Sequence, residues 1–490
     1  MAAALVDLLS IAPLCAAGNR AGSATSPALN AALESVHQEA LRADLFFIAA
    51  DELAGRETPG PGLRIAARFL RARLERLGIE PGGPEHSYFY KFPLEKNTLD
   101  FDQCRIEFAG RTLHLWQDYF LSFGSAAARD VSASIVFAGD AKIEDLEKID
   151  AAGKWLLILD RDQDLQRVRR ALSRKQLAGT IYVPAADYAG KPYAERFADQ
   201  VERMKQARYA PVVADGEPGS GGRPRGSGSI YLGPEAKQAL FAAAQVDEAK
   251  LEVGAAIPLE LKETRVLRAA EPPVDVEDVC GFWPGSDPLL KNDVILVTAH
   301  YDHVGVGRDG QVYNGADDNG SGTCGLLALA EMLTKYGPMR RSIMIMWVCG
   351  EEKGLWGSAA WTRHPYLPDG CKAVADINID MIGRNDPDKL LITPTEAHEK
   401  FNFLSKLACK LAADEGFPKL GSADEYYQRS DHFNFVRAGI PAAFLFSGVH
   451  EDYHQPTDDP DKIDYDKMRR VVRLVFRMLD GLQNDQIDQE

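Results

Sequence analysis

The sequence predicts an α/β protein: a mainly parallel or mixed sheet with helices on both faces, plus a smaller β-rich domain inserted in the chain. Three observations predict it. After residue 263, near-continuous apolar runs of strand length alternate with helical stretches, the pattern of strands buried on both faces. Between 100 and 262 the texture differs, with short β-rich runs set among charged and Gly-rich segments. The length, 490 residues, suits two to three domains. Composition narrows the class further. With 45% hydrophobic and 26% charged residues the chain is globular, and its net charge of −16 argues against a nucleic-acid or basic membrane-surface protein. No apolar run is long enough to span a bilayer.

Taken in order, residues 1–32 read as a signal or flexible N-terminus. MAAALVDLLSIAPLCAA (1–17) resembles the end of a secretory signal, although no Lys or Arg precedes it and Asp7 interrupts it. This places the protein in the periplasm or outside the cell, with a frayed extension and a cytoplasmic location as the alternative. GNRAGSATSP then reads as linker. Residues 33–99 open the main domain. Over 33–53, Leu33, Val36, Ala40, Leu41 and Leu45 share one helical face, and after the turn GRETPGPG a second helix carries Leu63, Ala66, Leu70, Leu74 and Leu77. Pro61 and Gly78 punctuate its ends.

The inserted domain, 100–262, contains the strand runs SIVFAG, KWLLILD and TIYVP, a charged helical stretch near 161–176 and an exposed loop over 214–229. Residues 263–484 supply the remaining strands, at 294–300, 343–350, 373–380 and 442–447. They alternate with helices at 325–336, 402–416 and 465–482, and 485–490 form a tail. The seven cysteines include no CxxC pair and form no evident disulfide framework, with one or two bridges left open.

Sites in such sheets form beyond the carboxyl ends of the strands. Seven of the ten histidines lie at or after residue 300. The first strand ends in AHYDH, where His300 and Asp302 point the same way and the carboxylate is placed to hold the imidazole. Alone, this pair reads more readily as a polar strand end. NGADDNGSG (314–322) suits either a metal loop or an Asx-rich helix cap. CGEEKGLWGS (349–358) puts Glu351 and Glu352 at a buried strand end, which is costly without a partner. Asp380 ends NIDMIG, and His454 sits in DYHQPTDD. Together, two histidines, two aspartates and a glutamate at separate strand ends form an N/O ligand set suited to zinc, with cobalt or manganese as possible replacements. A bridging carboxylate with two further ligands for each of two metals uses all five and leaves Glu351 as a base.

These motifs, in this order, resemble the M28 family of zinc peptidases of the two-zinc aminopeptidase type. DELAGRETPGPG and SDHFNFVRAGIPAAF resemble further family segments, and 100–262 is similar, more loosely, to an inserted protease-associated (PA) domain. The resemblance implies a zinc exopeptidase fold (phosphorylase/hydrolase-like), two zinc ions per chain and peptide substrates. It implies that His300 and Asp380 bind one zinc, Glu352 and His454 the other, and that Asp317 bridges them, with a cis bond between Asp317 and Asp318. Glu351 is then the general base, Asp302 orients His300, and Tyr453 stands near the oxyanion. Arg429 is implied on the substrate side. His303 departs from the small residue common in the family, and either narrows the pocket or adds a ligand. An aminopeptidase is the first expectation. A carboxypeptidase or dipeptidase, a single-zinc glutaminyl cyclase and a non-catalytic receptor-like homologue are the alternatives. Oligomeric state is not legible.

Overall fold

The computed structural model describes residues 26–122, 128–161, 168, 172, 175–212 and 229–483. The expected signal at 1–17, most of the 161–176 stretch, nearly all of the 214–229 loop and the tail lie outside them.

The main sheet contains the strands β1 (Phe89–Leu99), β2 (Arg208–Pro211), β3 (Leu267–Trp283), β4 (Asp293–His300), β5 (Ser342–Val348), β6 (Lys372–Asp380), β7 (Leu391–Thr393), β8 (Gly421–Ser422) and β9 (Ala442–Phe446). Their spatial order is β8-β7-β9-β6-β4-β5-β3-β1-β2, with the two-residue strand Glu80–Pro81 also paired to β3. The central four, β5, β4, β6 and β9, run parallel. In register, His300 faces Val348 and Asp380 faces Phe446. The motif-bearing strand ends therefore emerge side by side on one edge. Every residue of β5 and β9 is buried. Since successive side chains point to opposite faces, both faces are covered there.

The helices outside residues 100–262 are α1 (Pro27–Ser35), α2 (Gln38–Ile48), α3 (Pro61–Leu77), α4 (Gly322–Tyr336), α5 (Trp356–Arg363), α6 (Phe403–Leu411), α7 (His432–Arg437) and α8 (Tyr465–Gly481). Helix α4 is buried on nearly every side, packed between the sheet and α1, α2, α3 and α8. Helix α3 begins at Pro61 and stops at Gly78, whose φ of 69° is the left-handed cap that glycine takes readily. The single helix expected over 33–53 is instead two. Val36 and His37 are extended, and the break resets the helical phase, so Leu33, Val36, Leu41, Leu45 and Ile48 are buried while Ala40 is exposed.

After Leu99 the chain enters a second, eight-stranded sheet and returns through Ala256–Arg265 to β3. Its central strands, Arg129–Phe137, Trp155–Asp160, Gly179–Pro184 and Ser229–Leu232, are parallel. Trp155, Leu157 and Leu159 belong to one hydrophobic cluster and Leu156 and Ile158 to another, so the sheet has a core on each face. Strand β2, although it lies within 100–262, is no part of this sheet and pairs with β1 at the edge of the main one. Its short sequence RYAP gives no alternating pattern to announce it, and a Pro at the end of an edge strand removes no needed donor. Among the described residues the six cysteines are unpaired, and no helix is long and apolar enough to cross a membrane.

Candidate metal centre and catalytic cleft

His300, the last residue of β4, is buried, with its Nε2 3.3 Å from Asp318 Oδ1 and 3.3 Å from Asp380 Oδ1. Its Nδ1 lies 3.2 Å from the Asp302 carbonyl and 3.6 Å from Asp302 Oδ1. Asp302 Oδ1 also accepts the Glu351 amide at 3.2 Å, which ties the two strand ends together. Asp380 Oδ2 accepts the Ser430 hydroxyl at 2.9 Å, leaving Oδ1 to face His300. On the other side of Asp318, Oδ2 lies 3.1 Å from His454 Nε2, which is itself 3.1 Å from Glu352 Oε2. Each oxygen of one carboxylate thus faces a separate imidazole–carboxylate pair.

The carboxylate in the middle is Asp318, and this corrects the assignment of the bridging role to Asp317. Asp317 belongs to neither donor group. Its Oδ1 accepts the Gly383 amide at 2.7 Å and its Oδ2 lies 3.3 Å from His450 Nε2. The loop explains the difference. Buried Asp458 accepts the amides of both Asp317 and Asp318, pinning the backbone so that consecutive side chains leave it in different directions. Asn319 fixes the far side, donating to Ile379 O and accepting the Met381 amide from the β6 end. The cis bond also falls one residue later than expected, at Asp318–Asn319.

Of the two expectations for His303, narrowing the pocket is corrected, because the residue does not line the cleft. It is fully buried, with Nδ1 2.8 Å from Glu352 Oε1 and 3.8 Å from Asp318 Oδ2. The space it fills exists because Gly315 has no side chain: a Cβ there would collide with the imidazole ring. The cleft itself opens on Asp318, Glu351 and Asp380, with Tyr453, Tyr426 and Arg429 around it and Met381, Phe444, Phe446 and Val449 as its apolar wall. Tyr453 stacks on His454 at 3.9 Å between ring centroids.

The donor set fits a divalent cation. Asp318 Oδ2, Glu352 Oε1, Asp380 Oδ1, His454 Nε2 and both His303 nitrogens are buried and have no hydrogen-bond partner. Leaving such groups unpaired is costly. Donor separations of 3.1–3.3 Å match adjacent ligands around an ion held at about 2.0–2.1 Å. The electrostatics agree. Burial works to raise the Asp318 carboxyl, yet the contacts from His300 and His454 hold it well below the usual range. Burial works to lower His454, but Asp318 and Glu352 push it up to about 10. The acidic cluster thus draws protons onto its imidazoles, and a ligating metal displaces them. Glu351 behaves differently. Burial holds its carboxyl well above the usual range against the opposing charge of His300, and the Glu352 carboxylate adds to the rise.

The site also depends on Arg56, which the motif reading left without a role. Its buried guanidinium donates to the carbonyls of Tyr301 (2.9 Å), Ile48 (2.6 Å), Asn314 (2.7 Å) and Gly315 (3.0 Å), while its own carbonyl accepts the His303 amide. One side chain thereby ties α2, the end of β4 and the 314–318 loop together. Arg56→Met strands buried carbonyls that each cost about 1–3 kcal/mol. We expect a loss of more than about 3 kcal/mol in urea unfolding, accompanied by weaker metal retention.

Residues 278–479 match the model of peptidase family M28. The chain is 28% identical over 197 residues to a probable leucine aminopeptidase of Arthroderma benhamiae, which covers 38% of this chain and 54% of the relative. It is 29% identical over 189 residues to aminopeptidase YwaD of Bacillus subtilis (37% and 40%) and 31% identical over 205 residues to leupeptin-inactivating enzyme 1 of Streptomyces exfoliatus (41% and 42%). The chain spans about half the length of the curated relatives it matches, or less. In fold, an aminopeptidase from Aneurinibacillus sp. strain AM-1 superposes with a TM-score of 0.53 over 94% of this chain and 98% of that one, at 18% identity. The matched region carries every donor described above, from His300 to His454.

Proposed function

We propose that this chain is a zinc-dependent aminopeptidase with a two-metal centre. His300, Asp318 and Asp380 would hold one ion, and Asp318, Glu352 and His454 the other. The observation that carries the proposal is the placing of Asp318, one oxygen toward each group, beside an unligated Glu351 at the mouth of an apolar cleft. The metal pair, when bound, supplies Lewis acidity, lowering the pKa of a water and polarising the scissile carbonyl. The protein's residues do the rest. Glu351 takes the proton of the attacking water and hands it to the leaving amine, a role suited to a carboxyl whose affinity for protons burial has raised. The substrate's α-ammonium lies near the carboxylates of the metal site, Asp318 and Asp380. The Tyr453 hydroxyl donates to the oxygen on which charge develops, and Asp302 fixes the ring of His300.

The apolar wall of Met381, Phe444, Phe446 and Val449 fits a large aliphatic or aromatic N-terminal side chain. We assign 100–262 to a PA-like insertion on the strength of its separate sheet and cores. Export rests on residues 1–17 and is tested by the N-terminal mass of the protein recovered from the periplasm or medium.

A zinc-loaded peptide panel, read by mass spectrometry, tests the activity. We expect stepwise loss from free N-termini, none from acetylated ones, and a preference of about tenfold or more for Leu, Met or Phe over Asp or Lys at the first position. A carboxypeptidase is the competing reading because Arg429, at the cleft edge, is a cation suited to a C-terminal carboxylate. Removal of residues from the C-terminus of acetylated peptides would establish it instead. Cyclisation of N-terminal Gln without cleavage would establish the cyclase.

A further inference from the structure

We propose that His303 is a fourth protein ligand of the second metal position, making the two positions unequal. The first offers His300, Asp318 and Asp380. The second offers Asp318, Glu352, His454 and His303. The inference rests on the two-metal reading and extends it to a residue that reading does not use.

His303 Nδ1, Asp318 and Glu352 form a donor group in their own right, as close-set as that of His300, Asp318 and Asp380. His303 Nδ1 and Glu352 Oε1 stand 2.8 Å apart, yet neither has a hydrogen-bond partner. They share this property with Asp318 Oδ2 and His454 Nε2, which are also close and also unpartnered. The rings of His303 and His454 meet edge-on, 5.7 Å between centroids, with both approaching Glu352. His303 is fully buried. The backbone is shaped to admit it: Gly315, at φ +58°, leaves the volume the ring occupies, and the Arg56 carbonyl anchors the His303 amide. Buried polar atoms without partners call for an explanation, and His303, unlike the equally unpartnered His432, stands within a carboxylate donor group. A second imidazole makes the position softer and more nitrogen-rich, which favours zinc over magnesium or manganese.

The test titrates the metal-free full-length protein with Zn²⁺ against a chromophoric zinc chelator. His303→Phe keeps the ring's volume and removes the donor. His303→Ser removes both and serves if the first variant does not fold, with circular dichroism confirming the fold. The wild type is expected to bind two equivalents. In either variant one equivalent keeps its affinity and the other weakens by about tenfold or more, and the visible spectrum of the cobalt-loaded protein changes for that position alone. Two equivalents held equally tightly by wild type and variants would overturn the inference and leave the two-metal reading intact. Fewer than two in the wild type would remove the two-metal reading itself, and the inference with it.

Discussion

Replacing Glu351 by Gln is expected to lower kcat by roughly 10²–10⁴-fold, the range for loss of a general base, while both metal equivalents stay bound. Glu351 lies in neither donor group and opens onto the cleft with Asp318 and Asp380. Gln preserves the shape and the backbone link to Asp302, which runs through the Glu351 amide and not the side chain. What it removes is the ability to accept a proton. KM should move little, because the groups that hold substrate are untouched. Glu352→Gln is the necessary contrast. Both Glu352 oxygens face imidazoles, one toward His454 and one toward His303, so its loss should release metal from the second position. Steady-state kinetics paired with metal analysis separates the two variants. Equal metal loss in both would end the division of roles between adjacent glutamates.

What the sequence made legible follows from periodicity. The central strands are apolar at every position because both faces are covered, and their ends are abrupt because charged residues follow at once. His300, Glu351–Glu352 and Asp380 could therefore be placed at strand ends, and the register of the parallel strands brings those ends together. Where the backbone is irregular the same reasoning fails. In GADDN no period says which aspartate points inward, and the answer depends on Asp458, some 140 residues away in sequence. The inward turn of His303 depends on the missing side chain of Gly315. The role of Arg56 depends on carbonyls contributed by three separate segments. The break at Val36–His37 interrupts a run whose hydrophobic spacing alone reads as one helix. Strand β2 owes its place to a free edge of β1 more than to its own four residues.

The sharpest consequence of the structure is a contrast between neighbours that the sequence cannot tell apart. Asp318→Asn is expected to abolish measurable peptidase activity and weaken both metal equivalents by about 100-fold or more, whereas Asp317→Asn keeps both metals and most of the activity. Asp318 presents a separate oxygen to each donor group. An amide in its place keeps one oxygen, replaces the other with a donor, and removes the negative charge that the two cations share, so neither position escapes. Asp317 asks less of its side chain. Its Oδ1 accepts the Gly383 amide and its Oδ2 faces His450 Nε2. An asparagine still accepts from Gly383 through its side-chain oxygen, so the substitution costs about 1–2 kcal/mol of stability, as a change beside a retained buried hydrogen bond does. Metal content after gel filtration, read beside the unfolding midpoint, distinguishes the pair. If Asp317→Asn empties the site and Asp318→Asn does not, the bridge belongs to Asp317. If both empty it, the loop acts as one unit through Asp458, whose carboxylate holds the amides of both residues, and the conservative swap at Asp317 has moved its neighbour. The expected result, one variant empty and one full, is the outcome that only a single inward-facing carboxylate produces.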